Sequence, residues 1–196
     1  MAVKTSWSAG DVLAAADLTD TFAAKLASAD YKPGLVLITA QSFSAASALS
    51  LSSVFNSTYD HYFLILHNAA STASILRIRL RDASGDLTGA NYSFGSAGIA
   101  PTTGTMNVGA NGATSWALGY SSTLRTSCAL NIIGPNLAQN TQITGTSQVV
   151  NSADSEYVPA VIGGVYNAAT ICTGISIYPS SGTFTGAAAL YGYRKA

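Results

Sequence analysis

The stretch Ile75-Leu76-Arg77-Ile78-Arg79-Leu80-Arg81 alternates apolar and basic residues. Successive side chains on an extended strand point to opposite faces. Leu76, Ile78 and Leu80 therefore share one face, and Arg77, Arg79 and Arg81 share the other. Period 2 with one polar side marks a strand that is buried on one face only. The same reading applies along the chain after residue 34. Candidate strands are 35–39, 61–69, 114–120, 128–133, 141–150, 157–166, 170–178 and 186–194. Separators such as DASGDLTGAN, GPNLAQN and PSSGTF are rich in turn-forming residues. Short strands at this spacing, with no helical period among them, predict an all-β domain over residues 34–196, an antiparallel β-sandwich of jelly-roll type. Pro179 to Gly182 is expected to close a hairpin between the last two strands.

Residues 1–33 differ. Leu18, Phe22 and Leu26 recur at i, i+4, i+8, with Leu13 just upstream, which is the helical period. Ser8 or Asp11 can cap the start, and Asp17 and Asp20 lie where the helix dipole favours anions. Pro33 ends the pattern. The expectation is an N-terminal arm with one short helix, roughly 14–29, which is marginal alone in water and needs a surface to pack on.

Charged residues make up 9% of the chain, against about 25% in ordinary soluble domains. The formal net charge is +0. Neither nucleic acid nor an anionic membrane is an expected partner. The weakly charged Ser/Thr-rich surface suits a chain packed in a large assembly. The first twenty residues hold Asp11, Asp17 and Asp20 and no continuous apolar run, so no signal peptide is expected and synthesis is placed in the cytoplasm. No apolar run is long enough to insert in a membrane as a helix.

Catalytic and metal-binding chemistry finds little support, and no catalytic residue, metal ligand or cofactor is nominated. Glu156 is the sole glutamate, and Asp154 lies two residues before it without the spacing of a calcium loop. Asp82 and Asp86 flank Gly85 in what reads as a hairpin loop. His61 and His67 fall on one face of a strand but about 20 Å apart at ~3.3 Å per residue, too far to share a metal. Cys128 and Cys172 read as small buried hydrophobes, with a disulfide as the other option. The row Arg77, Arg79 and Arg81 is the sharpest charged feature, either a solvated strand face or a subunit or ligand contact. Trp7, Trp116, Tyr120, Tyr166, Tyr178, Tyr191 and Tyr193 read as core or subunit interface ahead of a sugar-stacking platform.

Three stretches carry a resemblance. Trp7–Leu26, WSAGDVLAAADLTDTFAAKL, resembles the Trp-x-x-Gly-Asp-Val-Leu-Thr-Ala-Ala-Asp-Leu-Asn opening of many tailed-phage virion proteins, departing from it at Ala14 and Thr19. Ile177–Lys195, IYPSSGTFTGAAALYGYRK, is similar to a common ending of small phage structural domains. Ser50–Leu66, SLSSVFNSTYDHYFLIL, looks like the stretch in such proteins that leads into a strand. The resemblance implies a non-enzymatic virion protein, commonly a homotrimer. Its arm, through Trp7, Leu13, Leu18, Phe22 and Leu26, would attach to capsid, neck or tail proteins. Its β domain would be displayed as a capsid decoration or short head or neck fibre. The alternative it leaves open is a tail-fibre protein whose partner is a host-surface glycan.

Overall fold

A computed structural model describes residues 34–100, 104–150 and 156–195. The segment 1–33, with its expected helix and with Trp7, Leu13, Leu18, Phe22 and Leu26, lies outside the described residues, as does Asp154. Thirteen strands run through the described residues. They are β1 (Leu35–Ala46), β2 (Leu49–Leu51), β3 (Tyr59–Ala70), β4 (Ser74–Asp82), β5 (Gly85–Asp86), β6 (Tyr92–Ala100) and β7 (Gly104–Ala113). There follow β8 (Trp116–Ser121), β9 (Thr126–Ile133), β10 (Thr141–Val150), β11 (Tyr157–Tyr166), β12 (Gly174–Pro179) and β13 (Phe184–Arg194). All pairings are antiparallel.

Eight strands form one sheet in the order β1-β13-β3-β9-β10-β11-β6-β7. A smaller sheet runs β2-β12-β4-β5, and β8 also pairs with β4. The arrangement is sandwich-like, because alternate residues of both sheets meet in one apolar core. From the small sheet come Leu49, Leu76, Ile78, Leu80, Trp116, Ile175 and Ile177. From the large sheet come Tyr62, Leu64, Leu66, Leu130, Ile132, Ile162 and Leu190. The alternation of β4 is as its sequence requires: Leu76, Ile78 and Leu80 are buried, and the arginines face away.

Two tyrosines enter the core with their hydroxyls satisfied. The Tyr62 hydroxyl donates to the Asn56 carbonyl at 3.0 Å and accepts from the Asn56 N–H at 2.8 Å. The Tyr92 hydroxyl donates to the Leu87 carbonyl at 2.8 Å and accepts from the Leu80 N–H at 3.0 Å, tying the two sheets together. Asn68, Ser121 and Thr126 make a buried polar cluster, with Asn68 Nδ2 donating to Ser121 Oγ at 2.7 Å. Buried polar groups linked in this way avoid the cost of unpaired donors and specify how β3, β8 and β9 meet.

The last turn departs from expectation. Residues 180–183 do not close a hairpin: β12 lies in the small sheet and β13 in the large one. The turn crosses between sheets beside the β3–β4 crossing. Ser71 N–H donates to the Thr183 carbonyl at 2.8 Å, and Thr183 N–H donates to Ser71 Oγ at 3.0 Å. Gly182, at φ 72, takes the left-handed conformation that lets the chain turn there. β12 already has β2 on one side and β4 on the other, so no edge is free for β13. β6, β7 and the short β2 and β5 lie outside the strands that the sequence pattern predicts.

Candidate functional site

Two outer faces are available, and they differ in chemistry. The small sheet presents Arg77, Arg79 and Arg81 in a row, each held by partners of this chain. Arg77 Nη1 donates to Ser115 Oγ at 3.1 Å. Arg79 Nε donates to the Thr114 carbonyl at 3.0 Å, and its guanidinium lies 4.8 Å from the centre of the Tyr178 ring. Arg81 pairs with Asp86, and its Nη1 also donates to Ser176 Oγ at 2.7 Å and Ser50 Oγ at 3.2 Å. Asp86 accepts in turn from Ser176 Oγ at 2.7 Å. These bonds fasten β4 to β2, β5, β12 and the β7–β8 connection, so the row holds the small sheet together. Asp82, at the start of the expected hairpin, caps it by accepting the Ser84 N–H at 2.7 Å.

The outer face of the large sheet is different. Register places Leu37, Tyr191, Phe63, Asn131, Thr144, Gly163, Gly95 and Gly109 in one row across all eight strands. The next row holds Ala189, Ile65, Ala129, Thr146, Val161 and Ala97. On the other side run Leu35, Tyr193, His61, Ile133, Gln142, Val165 and Ser93. No Asp, Glu, Lys or Arg falls in these rows. Asp60, Arg194 and Lys195 sit at strand ends, where Lys195 Nζ and Asp60 Oδ1 are 2.8 Å apart. Large apolar side chains are nonetheless open to solvent: Leu37 is 53% exposed, Ile65 42%, Val161 60% and Ile99 68%. An apolar face of this extent marks an interaction site.

The face is contoured. Tyr191, Tyr193, Phe63, Leu35 and Leu37 stand over β1, β13 and β3, and Tyr193 donates to Asn131 Oδ1 at 2.9 Å. Over β10, β11 and β6 the surface falls into an open groove of about 810 Å³ between Ile65, Ala97, Ile99, Ala129, Thr146 and Val161. Beside it lies a second groove of about 610 Å³ that includes Gly95, Gly109 and Gly163. The two histidines are on this face, within β3 and not at its ends: His61 is exposed and His67 half-buried.

The remaining chemical candidates are interior. Cys128 and Cys172 are free and buried. Burial pushes the Cys128 thiol up to about 12 and the Cys172 thiol up to about 11, so neither is a nucleophile at neutral pH. Burial also raises the Tyr62 and Tyr92 hydroxyls. Among the described residues no group of three or more His, Cys, Asp or Glu could hold a metal ion. No helix of the described residues is long and apolar enough to cross a membrane.

No protein-family model matches the chain, and no curated protein matches it. The arginine row stands out in the sequence by its charge, and the neutral face has no such mark. The signal was present in HYFLILHNA, whose run is apolar at both parities; strands covered on both faces read in this way.

Proposed function

We propose that this chain is a non-enzymatic structural protein of a tailed-phage particle. Its β domain is a jelly-roll-like sandwich that assembles as a homotrimer. It is displayed on the particle as a capsid decoration or a short head or neck fibre. Residues 1–33 form a helical arm that anchors it to capsid, neck or tail proteins through Trp7, Leu13, Leu18, Phe22 and Leu26.

The observation that carries this reading is the outer face of the eight-stranded sheet, which is apolar, uncharged and open over β1, β3 and β11. Such a face is a liability on an isolated monomer and fits a chain whose working state is an assembly. The resemblance of Trp7–Leu26 and Ile177–Lys195 to virion proteins supports the kind of assembly.

Quantitative mass spectrometry of purified particles tests the reading. Many copies per particle indicate a decoration, and few copies indicate a fibre. Absence from particles refutes the proposal. Removal of residues 1–33 should leave a folded β domain that no longer joins particles; normal incorporation would refute the anchor. A domain carried at the end of a shaft made by other chains would favour the tail-fibre alternative, with a host-surface glycan as its ligand.

A further inference from the structure

The row across the large sheet runs from bulk to none: Leu37, Tyr191 and Phe63 at one end, Gly163, Gly95 and Gly109 at the other. Most strand glycines of this chain have an internal reason. A Cβ on Gly164 would stand 2.7 Å from the Trp116 indole nitrogen, and one on Gly192 would stand 2.5 Å from the Tyr59 ring. Gly119 has φ +125, and a Cβ there would meet Val149 at 2.4 Å. Gly95 and Gly163 have neither reason. A Cβ at either would meet nothing within 4 Å, and neither has positive φ. They are paired directly across β6 and β11, in mid-strand, where glycine is destabilising relative to alanine. Strand glycine marks a bulge, a bend or a close approach from outside; the register shift of β6 on β7 lies between Tyr92 and Phe94, and Gly95 and Gly163 are in regular register, which leaves the close approach.

The same face supplies what fits there. The ridge of Leu37, Tyr191 and Phe63 lies in the same row as the glycines, about five strand spacings or ~24 Å away. With no charge in the rows, this face selects no charged partner, and copies of it meet without like-charge repulsion. The whole face measures roughly 34 Å by 26 Å, seven strand spacings by about eight residues, and a ridge-to-groove contact takes about half of it on each partner, the size of a small specific interface. A ridge-to-groove contact joins two different patches, and such head-to-tail contacts close into rings when the rotation allows.

We infer that the groove floored by Gly95 and Gly163 receives the Leu37–Tyr191–Phe63 ridge of a second copy of this chain. The outer face of the eight-stranded sheet is thereby the subunit contact. The inference rests on the homotrimer reading above and assigns its surface.

The test fills the groove. Gly95→Leu and Gly163→Leu, singly and together, add side chains whose Cβ meets nothing within 4 Å and which pair with each other on the open face, so far-UV circular dichroism and thermal unfolding of the monomer should be retained. Light scattering should show association weakened by at least about tenfold for the double variant, the loss expected when a central contact is blocked. Its mass should fall to 20.0 kDa where the unaltered chain is an oligomer. As a second measurement, Leu37→Cys chains mixed with Gly95→Cys chains should form a disulfide between copies on mild oxidation. Cys128 and Cys172, being buried, do not compete. That cross-link supports the contact even where the leucine variants fail to fold. An oligomer that survives both leucines, or forms no mixed disulfide, overturns the contact and leaves the trimer standing. An unaltered chain that is monomeric at all concentrations overturns both. A monomer whose Gly163→Cys thiol is shielded from maleimide would assign the groove to another segment of the same chain and overturn the contact.

Discussion

Trp116 and Gly164 should be energetically inseparable. Trp116 is fully buried on β8, with Tyr92 packed edge-on at 5.2 Å between ring centres. Its indole N–H points to the Val165 carbonyl at 3.4 Å, a weak bond at that length. A buried Trp removes about 200–250 Å² from water, worth about 5–6 kcal/mol at ~25 cal/mol per Å². A compact unfolded state reduces this by roughly 10–40%. Trp116→Ala should therefore cost about 4 kcal/mol, within the roughly 3–5 kcal/mol seen for large aromatic truncations. Gly164→Ala in the unaltered chain drives a Cβ to 2.7 Å from the indole nitrogen, 2.8 Å from Cδ1 and 3.0 Å from the Ser93 carbonyl. Overpacking of this kind costs about 1–3 kcal/mol, partly offset by the ~0.5–1 kcal/mol that alanine gains over glycine in a strand. A net loss of about 1.5 kcal/mol follows. With the indole gone, the clash that remains is the milder one with Ser93. The double variant should then be no less stable than Trp116→Ala alone, a coupling of about 1.5 kcal/mol or more. Urea unfolding followed by far-UV circular dichroism measures this, at matched protein concentration because association adds to stability. Losses that add to within about 0.5 kcal/mol, or a Trp116→Ala cost below about 1 kcal/mol, would refute the reasoning.

Three further outcomes follow from the interior. Cys128 and Cys172 should be inert to Ellman's reagent in the native chain at pH 8 and should both react once it is unfolded; rapid reaction without denaturant would contradict their burial. Both thiols hold their protons more tightly folded than unfolded. Their contribution is thus fully present below about pH 9 and is lost as pH rises towards 11–12. The slope is about 1.4 kcal/mol per pH unit for each thiol. Denaturant midpoints read between pH 8 and 11 should fall accordingly, and a flat profile would contradict it. Asp86→Asn removes the carboxylate that holds Arg81 and Ser176, and should lower stability by about 1–2 kcal/mol in the same urea assay. No change would mean that the three-way contact joining β4, β5 and β12 carries no net weight.

Much of the fold was legible because one physical signal repeats. In β4 the arginines alternate with Leu76, Ile78 and Leu80, and burial follows parity residue by residue. The loop around Asp82 and Gly85 showed its turn chemistry and folds as expected. What the sequence concealed was β6 and β7. YSFGSAGIA and GTMNVGANGA are rich in glycine and alanine, residues with weak strand preference, and so resemble loop. They pair because β11 offers an edge and Tyr92 anchors β6 to the core. Since these strands carry part of the groove, its shape was hidden with them. The destination of residues 180–183 was also illegible: a four-residue turn looks alike whether it closes a hairpin or crosses between sheets. Only the occupied edges of β12 decide it. The arginine row was read correctly as the polar side of a strand, but its partners Ser50, Ser115, Ser176 and Asp86 come from four other elements or connections, which no local pattern displays.

The central claim is that the uncharged face of the large sheet is covered by sister copies on a phage particle. A cryo-electron microscopy map of the purified particle measures this directly. The account predicts clusters of three domains close to the particle surface. In each, the ridge at Leu37, Tyr191 and Phe63 should lie in a neighbour's groove at Gly95 and Gly163, with the arginine face of the small sheet turned away. A map in which every copy leaves the eight-stranded face bare to solvent would contradict it.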